Sequence, residues 1–167
     1  MTLLLAALGC TTGDTADFTG GDFQLTTTAV DDGCYDGALN TVFLPEGDGS
    51  TNDWADATYL PGWDELPATY DISLQDPWTD MEVTVTDGGA ENMLIEDAQQ
   101  VGIELDPDTY PGCTVDVSIY VDITIVSADE VSATATLTNT NLTGDTCPDM
   151  VGGDGCTMDL DVVGARL

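Results

Sequence analysis

Residues 114–126 read TVDVSIYVDITIV. Val115, Val117, Ile119, Val121, Ile123 and Ile125 hold every odd position, while Thr, Asp, Ser and Tyr hold most of the even ones. Successive side chains of a strand point to opposite faces, so this run describes a strand with one apolar and one wet face. After SADE the pattern resumes in VSATATLTNT, where Val131, Ala133, Ala135 and Leu137 share one face and Ser or Thr the other. The two runs predict a long antiparallel hairpin. The small alanines imply a crowded neighbour on the inner side of its second strand.

The same grammar extends in both directions. Strands are expected at 23–30 (FQLTTTAV), 39–44 (LNTVFL), 68–74 (ATYDISL), 81–86 (MEVTVT), 100–105 (QVGIEL) and 156–163 (CTMDLDVV). Between them stand turn signals: Asp31-Asp32-Gly33, Pro61-Gly62, Asp87-Gly88-Gly89, Asp106-Pro107 and Pro111-Gly112. The stretch AENMLIEDAQQ (90–100) fits neither period cleanly, and reads as a strand or a short helix packed on the sheet. Many short strands with frequent turns and one alternating face indicate a single all-β domain, an antiparallel sandwich or barrel. No internal repeat divides it.

Charge narrows the function. Of 167 residues, 32 are acidic and one, Arg166, is basic, and there is no His and no Lys; the formal charge is −31. Nucleic-acid phosphates need clustered cations, so no nucleic-acid partner is expected. An anionic membrane surface repels such a domain. Without His there is no Ser-His-Asp or Cys-His chemistry, and without Lys no Schiff base. Only carboxylate-based or metal-assisted catalysis stays open.

The chain begins MTLLLAALGC, an apolar run ending at a single cysteine, followed by the polar, Gly-rich TTGDTADFTGGD. The run is too short to cross a bilayer. Ala7-Leu8-Gly9-Cys10 resembles the lipobox of bacterial lipoproteins. The resemblance covers this segment alone, and implies cleavage before Cys10 and acylation of that cysteine. With Thr11 following, it also implies sorting to the outer membrane or cell surface. Residues 1–9 are then a signal segment, 10–22 a flexible tether and 23–167 the β-domain, held to the membrane only through its lipid.

Removing Cys10 leaves Cys34, Cys113, Cys147 and Cys156. An even set in an exported chain predicts two disulfides, with three possible connectivities. Cys147 and Cys156 flank the flexible PDMVGGDG, which a bridge would close easily, so the expected pairs are Cys147–Cys156 and Cys34–Cys113.

Two constellations could carry binding. In DGSTNDWAD (48–56), Asp48, Ser50 and Asn52 place oxygens at alternate positions, with Asp53 and Asp56 following. This resembles the opening of an EF-hand calcium loop, though Asp53 replaces the turn glycine and Tyr59 the bidentate Glu. Calcium is the one cofactor it suggests. The tryptophans Trp54, Trp63 and Trp78 cluster with Tyr59 and Tyr70, and could stack on a sugar or pin loops to the sheet. The sequence therefore predicts an acidic outer-membrane lipoprotein with a non-catalytic structural or binding domain of unknown protein or glycan partner. The alternatives are a carbohydrate-binding module around the tryptophans, a carboxylate-based hydrolase, and a barrel enclosing a lipid-like ligand.

Overall fold

The structure is a computed structural model, and it describes residues 18–37, 58–72, 81–89, 91–105 and 108–167. Its elements are β1 (Gly20–Asp32), β2 (Thr58–Pro61), β3 (Ala68–Ile72), β4 (Met81–Gly89), β5 (Asn92–Glu104), β6 (Thr114–Ile125), β7 (Glu130–Thr143) and β8 (Cys156–Arg166). They form one antiparallel sheet in the order β2-β1-β8-β7-β6-β5-β4-β3. Every pair of strands consecutive in the chain is hydrogen-bonded except β2 and β3, and β1 folds back onto β8. That is the order of an up-and-down barrel, with β2 and β3 as the edge strands among the described residues. The choice between sandwich and barrel thus resolves to a barrel-like single sheet.

The β6–β7 hairpin forms as the alternation requires, with Ile125 opposite Val131 and Ile119 opposite Leu137. All six odd-numbered apolar residues of β6 are buried, and so are Val131, Ala135 and Leu137 of β7. Ala135 sits between Val121 on one side and Leu160 on the other, which is the crowding that its small side chain implied. Phe23, Leu25, Val83, Val85, Met93, Ile95, Met158, Leu160 and Val162 pack in the same interior. The outward residues of β6 are Thr, Asp, Ser and Tyr. A membrane-spanning barrel needs the reverse, an apolar outer band.

Residues 92–100 are strand rather than helix. β5 runs unbroken through 13 residues, but its register shifts between Ile95 and Ala98 and again between Gln100 and Ile103. Each bulge inserts residues without a partner and resets the alternation. Met93, Ile95, Gln100 and Ile103 are all buried although their spacing obeys no single period. Of residues 100–105, expected as a separate strand, 100–104 are the end of β5. β2 carries no alternation long enough to announce it. β1 starts at Gly20 and Phe18 is already buried, so the sheet takes in residues assigned by sequence to the tether. The expected strand at 39–44 lies outside the described residues.

The two ends of the sheet differ. At the short-turn end β2, β4, β6 and β8 finish, and 62–67 and 126–129 lie there; at the long-loop end β1, β3, β5 and β7 finish, and 144–155 lies there. Both disulfides lie at the long-loop end, and their pairing corrects the expectation. Cys34 bonds Cys156 and Cys113 bonds Cys147. The local loop 147–156 is easy to close, but the sheet register decides otherwise. Asp32 stands opposite Met158, and Gly33 N–H donates to the Thr157 carbonyl at 3.2 Å, which brings Cys34 beside Cys156. Thr114 stands opposite Thr143, so Cys113 emerges beside the turn that carries Cys147.

Candidate functional site

The short-turn end is where the chain enters the barrel, and the sole cation closes it. Arg166 ends β8 and lies 4.8 Å from the centroid of the Phe23 ring. Its Nε donates to Asp129 Oδ1 at 2.9 Å and to the Ala128 carbonyl at 3.0 Å. Its terminal nitrogens reach the carbonyls of Gly20 and Ala128. One guanidinium thereby joins the start of β1, the β6–β7 turn and the end of β8. Its planar fork of donors suits several carbonyls at once, which a lysine could not reach together. Gly21 is needed here, because a Cβ on it would run into Arg166 Nη1.

Aromatic rings complete this end. Phe18 is buried and packs on Phe23 at 5.9 Å and on Trp63 at 5.8 Å. Trp63, in the β2–β3 connection, is half-buried against the core. Its ring pins that connection over the barrel end. Tyr59 and Tyr70 meet across the gap between β2 and β3, with ring centroids 5.8 Å apart. Tyr59 is 42% exposed, and its hydroxyl donates to Glu65 Oε2 at 3.2 Å. That hydrogen bond raises the Tyr59 phenol above its ordinary value, while burial, then the Glu65 charge, raises Tyr70. Both stay protonated at neutral pH and can donate hydrogen bonds or stack; neither is primed as a nucleophile.

At the long-loop end, carboxylates hold backbone in place. Asp32 accepts from Cys34 N, Tyr35 N and Gly37 N at 2.8–3.0 Å. Asp116 accepts from Gly102 N at the second β5 bulge and from Asn141 Nδ2. Asp154 accepts from Asn141 N, and Glu104 from Gly112 N. The buried Asn139 amide donates to Cys34 Sγ at 3.3 Å. Acidity at this end therefore does structural work at bulges and turns, a role no sequence spacing announces.

Among the residues singled out by sequence, the structure brings Tyr59, Trp63 and Tyr70 to one sheet margin. Cys10, Trp54 and Trp78 lie outside the described residues, as do the calcium-loop candidates Asp48, Ser50, Asn52, Asp53 and Asp56. Comparison with protein-family models, with curated proteins and with solved structures returned no match, so function is argued from residues and their geometry alone.

Proposed function

We propose that the protein is a lipid-anchored, non-catalytic binding module of the bacterial outer membrane or cell surface, which faces its short-turn end to the membrane and presents its long-loop end outward. One observation carries the reading: the N-terminal chain enters the sheet at the short-turn end, at Phe18 and Gly20. From Cys10 to Phe18 there are eight residues, which span at most about 29 Å fully extended. An acylated Cys10 would thus keep that end close to the bilayer. The connection 144–155 and both disulfides lie at the opposite end, and loops on a rigid scaffold are where binding residues concentrate. Two disulfides favour an oxidising compartment. The anchor is tested by palmitate labelling in a lipoprotein-competent bacterium. Wild type should label and partition into detergent, and Cys10→Ala should do neither; an unlabelled, water-soluble wild type would overturn the anchor.

A further inference from the structure

The β7–β8 connection, residues 144–155, reaches sideways in both directions. On one side the Thr146 hydroxyl donates to the Pro111 carbonyl at 2.9 Å, and Cys147 is bonded to Cys113, the residue before β6. On the other, Val151 N–H donates to the Cys34 carbonyl at 2.8 Å, just past the end of β1. Gly152 lies so close to the Gly33 carbonyl that a Cβ would not fit. In the strand order β1-β8-β7-β6 these attachments stand three strand spacings apart, about 14 Å. Between them Met150 packs against the core. The connection is therefore a strap laid across the ends of four strands.

The two bridges at this end are not equivalent. Cys34 and Cys156 are both buried, and the Asn139 amide covers Cys34 Sγ. In the other bridge only Cys113 is buried. It sits on a firm base, since its N–H donates to the Tyr110 carbonyl and its own carbonyl accepts from Leu105 N–H. Cys147 is partly exposed, and Gly144, Asp145, Thr146 and Asp149 around it are exposed. Thiol–disulfide exchange begins with a thiolate reaching one sulfur of the bridge, so its rate follows access, and exposed bridges are the labile ones. Cys147 is the sulfur within reach. Once its bond is cut, the exposed Thr146 hydrogen bond is a far weaker hold on that side of the strap than the covalent link. The strap also carries the exposed Asp145, Asp149 and Asp154, and in a chain of formal charge −31 repulsion favours its departure.

We propose that Cys113–Cys147 is a redox latch, which a dithiol reductant opens to release the strap while Cys34–Cys156 and the sheet stay intact. One thiolate of the reductant attacks Cys147 Sγ, and Cys113 leaves as a thiolate and takes a proton. The second thiol of the reductant then displaces Cys147 from the mixed disulfide. The bridge gains two electrons and two protons, and the dithiol becomes a disulfide. The latch adds a regulation to the outward end of the binding module; failure of the lipid anchor would leave it standing. In the test, the full chain in non-ionic detergent is treated with dithiothreitol, quenched at intervals, alkylated after unfolding and mapped by mass spectrometry. Cys113 and Cys147 should become reduced together, at least tenfold faster than Cys34 and Cys156. In the singly reduced protein, amide hydrogen exchange across residues 145–151 should quicken at least tenfold while β6, β7 and β8 stay protected. Cys113→Ser with Cys147→Ser should give the same exchange pattern without reductant. Equal reduction of the two bridges, or earlier reduction of Cys34–Cys156, would overturn the latch. So would a strap that stays protected after reduction. Loss of strand protection in the double variant would overturn it too, since the bridge would then be a staple of the whole barrel.

Discussion

Replacing Arg166 with Met keeps much of the aliphatic bulk and removes every donor. The ion pair with Asp129 contributes little, because the Asp129 side chain is 78% exposed and such pairs are worth about 0–1 kcal/mol. The carbonyls of Gly20 and Ala128 matter more. Hydrogen bonds from a charged donor contribute about 1.5–3 kcal/mol each, although water can partly replace the donor at a barrel end. The contact with the Phe23 face adds about 0.5–1 kcal/mol. Solvation and the loss of additivity within one network reduce the total, and Arg166→Met should cost about 2–4 kcal/mol. Asp129→Asn should cost under about 1 kcal/mol. Arg166→Lys should fall between the two, since one ammonium cannot serve Gly20 and Ala128 together. Urea unfolding followed by far-ultraviolet circular dichroism reads these differences directly. The loss from Arg166→Met should persist in 1 M salt, where exposed pairs are screened to about 3 Å. A cost below about 0.5 kcal/mol, or an equal cost from Asp129→Asn, would refute the idea that the guanidinium ties the start of β1 and the β6–β7 turn to β8 through their carbonyls.

Non-reducing peptide mapping should link Cys34 to Cys156 and Cys113 to Cys147; a Cys147–Cys156 peptide would contradict the sheet register. With sequence separations of 122 and 34, loop entropy assigns about 5 and about 4 kcal/mol to the two bridges, and paired Cys→Ala variants should lose stability in that order. Gly164→Ala should cost about 1–3 kcal/mol, because its Cβ would lie 2.5 Å from Val131 Cγ2 and 2.8 Å from Leu25 Cδ2; a neutral result would mean the interior there is looser than described. Burial, then the nearby Asp32 charge, push the Tyr35 phenol up to about 12 from its ordinary 10. The unfolded chain therefore ionises first, so the stability Tyr35 lends is whole below pH 10 and is lost as pH rises toward 12. Relative to Tyr35→Phe, wild type should weaken progressively across that window in pH-dependent urea melts, and parallel curves would count against it.

How much of this was legible in the sequence depended on whether a residue's role was set along its own strand or between strands. The β6–β7 hairpin could be read because period-two alternation is a property of one strand, and burial of Val115 to Ile125 followed from it. β5 could not, because two bulges reset its phase and the bulges exist only in relation to β6. The disulfides were misassigned for the same reason. Loop closure is a local quantity, whereas the neighbours of Cys34 and Cys113 are fixed by pairings with partners over a hundred and over thirty residues away. Trp63 and Tyr59 were visible as a cluster, but their division into a ring that plugs the barrel end and a ring at the margin needed the strand order.

Orientation on the membrane is the claim on which the functional reading turns. Strands of 12–14 residues, tilted as in a barrel, separate the two ends by about 30 Å. A fluorophore can be introduced through an unnatural amino acid at Glu91, in the β4–β5 turn, or at Asp149, in the β7–β8 connection. The acylated protein is then reconstituted into vesicles carrying an acceptor lipid. Energy transfer should be strong from Glu91 and several-fold weaker from Asp149. Equal transfer from the two positions, or stronger transfer from Asp149, would contradict the account.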